Sequence, residues 1–298
     1  MNRPHHYPAH SAIEARGWLS AHKWLLLRRA TQLGILLLFL LGPLAGVWIV
    51  KGNLASSLTL ETLPLTDPYL FLQSLMAGHV PEAAAATGAL IVVLFYWLVG
   101  GRSYCAWVCP LNMVTDAAGF LRDRWRLKGG AHFSRQTRYW LLGMSLLLAL
   151  FSGSLAWELI NPVSMVQRGL IFGMGAAWLF VLGIFLFDLF VSRQGWCGHL
   201  CPVGAFYSLI GTASVLRVSA SKRERCDDCM DCFAVCPEQQ VIRPALKGTG
   251  DSSPVILSAN CTNCGRCIDV CAQDVFRFSH RFEHSSHFHL ARNKEVRS

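Results

Sequence analysis

Charge is scarce in this sequence: 15% of its 298 residues are Asp, Glu, Lys or Arg, where soluble domains carry about a quarter. Hydrophobic residues make up 53% and mean hydropathy is +0.36. A soluble fold this apolar would expose large patches, so the composition points to a membrane protein. Acidic residues are scarcer than basic ones, which leaves a net charge of +9. No nucleic-acid-binding motif accompanies that charge, and basic cytoplasmic loops account for it. No cysteine is stray, because all 12 fall in regular motifs. A secreted disulfide scaffold would use them otherwise, so a reducing compartment is expected. No C-x-x-C-H motif is present, so covalent haem is not indicated. No cleavable signal peptide is expected, since the first apolar run lies well inside the chain and is too long for a signal core.

What is there begins with eight cysteines. Cys226, Cys229, Cys232 and Cys236 are echoed by Cys261, Cys264, Cys267 and Cys271. Each set has the spacing C-x2-C-x2-C-x3-C, the pattern with which bacterial ferredoxins ligate [4Fe–4S] clusters. The fourth cysteine of each run ligates the other cluster. One cluster is therefore expected on Cys226, Cys229, Cys232 and Cys271, and a second on Cys236, Cys261, Cys264 and Cys267. Structural zinc knuckles are the competing reading, but they take four ligands from one local unit, often with His. Neither set contains His. A unit this small depends on its clusters to fold. Its strands are expected at Val241–Arg243, Val255–Leu257 and Val275–Phe278. Asp227, Asp228 and Asp231 read as a solvated loop, with docking of a basic donor as the alternative.

Four apolar spans are expected, at residues 30–50, 83–99, 139–157 and 169–191. The segments 1–29 and 102–138 are rich in Arg and Lys, whereas the other two loops hold one basic residue each, Lys51 and Arg168. The positive-inside rule then puts both termini in the cytoplasm of a multi-pass protein of the bacterial inner membrane. The expected fold is an all-α four-span transmembrane bundle with an internal repeat, followed by an α+β bacterial 2[4Fe–4S] ferredoxin-like domain. Its divisions are 1–29, a cytoplasmic segment; 30–220, the membrane domain; and 221–298, the cytoplasmic ferredoxin-type domain and tail. The basic stretch Arg122–Arg126 is amphiphilic enough to touch anionic headgroups. The histidines at 5, 6, 10, 280, 284, 287 and 289 read as parts of solvated tails.

The membrane part repeats itself. Cys105, Cys109 and Pro110 recur as Cys197, Cys201 and Pro202, and Asp67-Pro68 with Gln73 recurs as Asn161-Pro162 with Gln167. Two helix-pair units of the same orientation have been joined. Cysteines four apart share a helix face, and proline after the second marks a helix start or a kink. The four thiols could meet near a common axis. Three readings stay open: a further metal centre, a redox-active dithiol, and packing as small apolar residues.

In these motifs the chain resembles the NapH/MauN family of membrane ferredoxin-type proteins. The likeness extends to Pro64-Leu-Thr-Asp-Pro68, Glu158-Leu-Ile-Asn-Pro162 and the stretch from Gly195 to Gly204. The resemblance implies that the chain oxidises quinol in partnership with a periplasmic iron–sulfur protein. Electrons would continue through a c-type cytochrome to a molybdenum-containing periplasmic nitrate reductase. The alternative is an accessory polyferredoxin that supports maturation of a periplasmic redox enzyme. Quinol oxidation releases two protons with two electrons, so a proton acceptor is needed. Carboxylates cost least at span ends, and Glu158, at the outer end of the third span, is the expected acceptor. An interfacial carboxylate solvated by headgroups is the bland reading of the same residue.

Overall fold

Three helices open the chain: α1 (His10–Arg16), α2 (Trp18–Ala21) and α3 (Lys23–Ala45). They belong to a computed structural model that describes residues 8–127, 129–131, 133–173, 177–248 and 253–283. Helix α3 starts before the apolar run does, because Asp269 caps it. That carboxylate accepts the first-turn N–H groups of Trp24 and Leu25 at 3.0 and 2.9 Å, donors a helix cannot satisfy internally. Gly46, at φ 72, ends α3 in the left-handed conformation that favours glycine. The expected first span therefore shifts towards the N-terminus, and Val50 goes into a strand.

Strands β1 (Val50–Gly52), β2 (Ser56–Thr59) and β3 (Leu63–Thr66) form an antiparallel meander, with Val50 opposite Thr59 and Ser56 opposite Thr66. Helix α4 (Pro68–Met76), α5 (Ala83–Val99), α6 (Ser103–Trp107) and α7 (Leu111–Arg124) complete the first unit. The second unit runs through α8 (Thr137–Ser152), α9 (Pro162–Phe172) and α10 (Ala177–Leu186). A π-helical turn (Phe187–Val191), a second one (Trp196–Leu200) and α11 (Pro202–Ile210) follow. The repeat is structural. Asp67 and Asn161 each cap a helix that opens on proline, accepting the N–H of Tyr69 and Val163 at 3.1 Å. Gln73 and Gln167 are both buried one turn or more further on.

Among the described residues, α3 is long and apolar enough to cross a membrane, while α5, α8 and Trp178–Val191 are apolar but shorter. At 1.5 Å per residue the 17 residues of α5 reach about 25 Å, short of a hydrocarbon core of roughly 30 Å. The expected third span stops at Ser152, because Gly153 adopts φ 63. The expected fourth is interrupted at Gly173, φ 66, so that α9 and α10 are separate helices; residues 174–176 lie outside the described residues, as do the histidines at 5, 6, 284, 287 and 289. Arg122 does not face headgroups. It is buried, donating to the Leu189 carbonyl at 2.7 Å and to that of Gly129.

The C-terminal part begins with β4 (Leu216–Ser219) and contains α12 (Asp231–Val235), α13 (Ile242–Lys247), α14 (Arg266–Asp269) and β5 (Arg277–His280). Strands β4 and β5 pair antiparallel, Leu216 opposite His280. The expected strand at Val241–Arg243 is instead a 3-10 turn running into α13. Val241, Ile242, Ala245 and Leu246 are buried, which is helical spacing that a short apolar run cannot reveal. Val255 makes an isolated bridge to Ser219 rather than a strand. The last strand lies at 277–280 instead of 275–278, set by pairing with β4, which precedes position 221.

Candidate iron–sulfur centre

The chain folds back so that the two cysteine runs meet. One cavity is lined by Cys226, Cys229, Cys232 and Cys271. A second is lined by Cys236, Cys261, Cys264 and Cys267. Each therefore takes three cysteines from one run and one from the other. Helices α12 and α14 carry the third cysteine of each run, and the fourth follows where the helix gives way, so it faces the neighbouring cavity. Left-handed residues precede both helices, Met230 at φ 67 and Gly265 at φ 74. At Gly265 the reason is contact: an added Cβ would stand 2.7 Å or less from Trp24. Among the described residues, no three His, Cys, Asp or Glu side chains converge closely enough to hold one metal ion. A zinc knuckle needs four ligands at about 2.3 Å from one ion, whereas a cubane spreads its thiolates around a larger body. The donor set thus fits [4Fe–4S] clusters.

The two cavities differ in their surroundings. The second faces the preceding helical part. Trp107 donates its indole N–H to the Asn263 carbonyl at 3.0 Å, and the Asn263 amide donates to the Val99 carbonyl at 2.9 Å. Glu238, which lines this cavity, is buried and clamped by three arginines of that helical part. Arg102 reaches it at 2.6 Å and Arg138 at 3.4 Å, and Arg135 pairs with its other oxygen. Arg102 also donates to the carbonyls of Asn260 and Cys197, both at 3.1 Å. On the other side Arg266, also lining the cavity, pairs with Asp116 of α7 at 2.5 Å. Arg29 pairs with the same carboxylate, and Arg28 lies 3.9 Å from it. Burial pushes Asp116 up, but Arg266, Arg28 and Arg29 outweigh it and hold the carboxyl below its usual range. Burial likewise opposes the Cys264 thiolate, yet Arg266 and Arg28 bring that thiol below its ordinary value.

The first cavity faces outward. Asp227 and Asp228 line it, and Lys247 pairs with Asp228. Burial and then Asp227 and Asp231 raise Cys229, to about 11. Burial also raises the other thiols of the second cavity, Cys261 to about 11 and Cys236 and Cys267 as well, so Cys264, beside Arg266 and Arg28, is the exception there.

Glu238, Asp116, Arg28 and Arg266 were not singled out by sequence. Arg266 stands inside the second cysteine run, directly before Cys267, and Glu238 two residues past the end of the first. A charge this near a ligand is the signal that could have marked them.

The membrane-edge cysteines also come together. The thiols of Cys105, Cys109, Cys197 and Cys201 lie within electrostatic reach of one another, and burial drives Cys109, Cys197 and Cys201 up. The pairs do not share helix faces, however. Cys105 sits in α6, while Cys109 follows its end and Pro110 leads into α7. Cys197 sits in a π-helical turn, and Cys201 caps α11, which Pro202 opens. Each motif turns a corner, so proline starts the next helix.

At the opposite end of the unit, Glu158 accepts the Asn161 side-chain N–H at 3.1 Å and pairs with Arg168 at 3.2 Å. Asp67 is buried nearby, and the Tyr207 hydroxyl donates to it at 3.4 Å. Burial raises Asp67 to about 6, against the pull of the Tyr69 N–H and the Tyr207 hydroxyl, with Glu158 adding a smaller upward push.

A doubled cysteine fold with two such cavities defines a ferredoxin-type iron–sulfur protein. A family described as "4Fe-4S dicluster domain" matches residues 225–275, and one described as "4Fe-4S binding domain" matches residues 83–128 and 172–220. The methylamine utilization ferredoxin-type protein MauN of Methylorubrum extorquens is 54% identical over 269 residues, 90% of this chain and 93% of that protein. MauN of Paracoccus denitrificans is 58% identical over 85% of this chain and 88% of its own length. The ferredoxin-type protein NapH of Haemophilus influenzae is 51% identical over 91% of this chain and 95% of its own length. The chain belongs to the NapH/MauN family of ferredoxin-type proteins. No solved structure matches it.

Proposed function

We propose that the chain is a membrane electron-transfer protein whose two [4Fe–4S] clusters are held across the cysteine runs and receive electrons from quinol. Cys226, Cys229, Cys232 and Cys271 would hold one cluster, and Cys236, Cys261, Cys264 and Cys267 the other. The observation that carries this is the composition of the two cavities, each ringed by a three-plus-one set of thiols. When bound, the clusters supply one-electron redox chemistry. The protein's own residues position them against the membrane part, through Trp107, Asn263, Arg102 and Arg266.

The multi-span membrane reading is supported by apolar side chains exposed on each apolar helix; the inner-membrane setting with both termini cytoplasmic rests on the distribution of basic residues. Leu37 of α3 is 57% exposed, Leu94 of α5 50%, Leu147 of α8 52% and Leu179 of α10 67%. Such bands suit lipid rather than water. The match of a 4Fe-4S-binding family to both membrane-edge segments favours a further metal centre on Cys105, Cys109, Cys197 and Cys201 over a dithiol. Glu158 remains the proposed acceptor of a quinol proton, with Arg168 and Asn161 orienting it. Electrons would pass onward to a periplasmic iron–sulfur partner, a c-type cytochrome and nitrate reductase.

The test is anaerobic addition of quinol to membranes that contain this chain but lack any terminal reductase. Reduction of the iron–sulfur signal supports the reading, and Glu158→Gln should slow it. Relatives named for methylamine utilization match as well as those named NapH. That favours, as second reading, an accessory electron supply to whichever periplasmic redox enzyme is present. Reduction by cytoplasmic donors but not by quinol would select it.

A further inference from the structure

The two cavities sit in unlike electrostatic surroundings, and that contrast is built from residues outside the cysteine ligands. Around the second, Arg28, Arg29 and Arg266 converge on the single carboxylate Asp116. Arg102, Arg135 and Arg138 converge on the single carboxylate Glu238. Each group leaves positive charge in excess. Arg28 and Arg138 are wholly buried and Arg102 is 2% exposed, so water screens them little. Among the described residues, none of the three guanidinium nitrogens of Arg28 has a hydrogen-bond partner, and Asp116 stands 3.9 Å away as its ion-pair partner. Arg217, also buried, adds a further cation bonded to the carbonyls of Ser258 and Thr212 at 3.0 and 3.3 Å, and of Gly211, with no acid paired to it among the described residues.

Around the first cavity there is no such excess of buried cations among the described residues. Asp227 and Asp228 line it, and Asp231 opens α12 beside Cys232. Lys247 offsets one of these. Asp227, Asp228 and the neighbouring Lys222, Glu224 and Arg225 are all exposed, so solvent screens charge of both signs there. A thiolate-ligated cubane is an anion that gains one more negative charge on reduction. Its potential rises with nearby positive charge and falls with burial. Burial favours the first site and charge the second. Charge prevails, because several buried cations act in the same low-dielectric region that amplifies each of them.

We propose that the cluster on Cys236, Cys261, Cys264 and Cys267 has the higher reduction potential of the two, and that Arg28, Arg266 and Arg102 set it. This rests on the ligation proposed above. An electron shared between the cavities then resides at the membrane-facing one by more than tenfold. The exposed cavity fills only after it. The transfer moves one electron, with no proton and no bond made or broken.

The experiment is a potentiometric titration of the full-length chain in detergent, followed by EPR under strict anaerobiosis. Iron and acid-labile sulfide are measured first, and failure to load two clusters would overturn the ligation rather than this inference. With both loaded, two one-electron steps are expected, separated by more than about 59 mV, the tenfold equivalent. Arg28→Met should lower the upper midpoint and leave the lower unmoved. Removing a buried charge that has no hydrogen-bond partner should spare the fold. Asp227→Asn, at the outward rim, should raise the lower midpoint and leave the upper unmoved. Merged midpoints, or Arg28→Met acting on the lower step or on neither, would overturn the proposal.

Discussion

Arg266 grips Asp116 with one nitrogen on both carboxylate oxygens, at 2.5 and 2.6 Å. The arginine comes from the second cysteine run and the aspartate from α7. One ion pair therefore ties the cluster-binding fold to the helices, within a cavity wall. Asp269 of α14, capping α3, and Glu238 among its three arginines extend the same seam. The ferredoxin-type part does not hang from a tether; it is docked.

Breaking that pair from one side should be costly. Asp116→Ala leaves Arg266 buried without its partner, and a loss of about 3–5 kcal/mol is expected. Replacing both by apolar residues, Arg266→Met with Asp116→Leu, should recover only part of it, because Arg28 and Arg29 lose the same carboxylate. Thermal unfolding in detergent, run as a double-mutant cycle, reads both outcomes.

The pairing of cysteines across runs has its own signature. Cys232→Ala and Cys271→Ala lie in different runs but should remove the same cluster. Cys236→Ala should instead resemble Cys261→Ala. Iron content near half of wild type in every case, with two classes of residual EPR spectrum, is the expected result. Pairing within runs would group the variants the other way.

Iron removal should unfold the C-terminal part before the helices. The core there is small: Val218, Ile242, Ile256 and Val275 are among its buried residues, and five or more cysteines pack on it. Metal binding in such units is itself folding free energy. Chelation under reducing conditions should expose 216–283 to protease while 83–210 stays resistant, as followed by mass mapping.

Asp67 gives the helical part a pH dependence. Its folded pKa is raised to about 6 by burial, above the value near 3.9 of an unfolded carboxyl. The folded state thus keeps a proton that the unfolded chain has lost. Stability is fullest below about pH 4 and falls as pH rises through 6, by about 1 kcal/mol between pH 5 and 7. Asp67→Asn should flatten that slope while keeping the helix cap, as Asn161 does in the second unit. Tryptophan-monitored unfolding at several pH values compares the two.

Helix periodicity and cysteine spacing were legible in the chain because both are local. The α5 boundaries came out as expected, since Ala83–Val99 is an unbroken apolar run bounded by Gly100. The strand expected at Val241–Arg243 did not form, because three apolar-flanked residues carry no period. The caps that moved α3 and the interruption at Gly173 depend on a distant carboxylate and on one backbone angle.

The ligand chemistry was written in residue type and order: eight cysteines at fixed spacing point to cubane ligands, and scarce charge with long apolar runs favours a lipid setting. What surrounds each cavity came from folding alone. Arg28, Asp116, Glu238 and Arg266 come from separate stretches of chain, and charge acts through space across a low-dielectric interior, so their effect exists only once folding has brought them together.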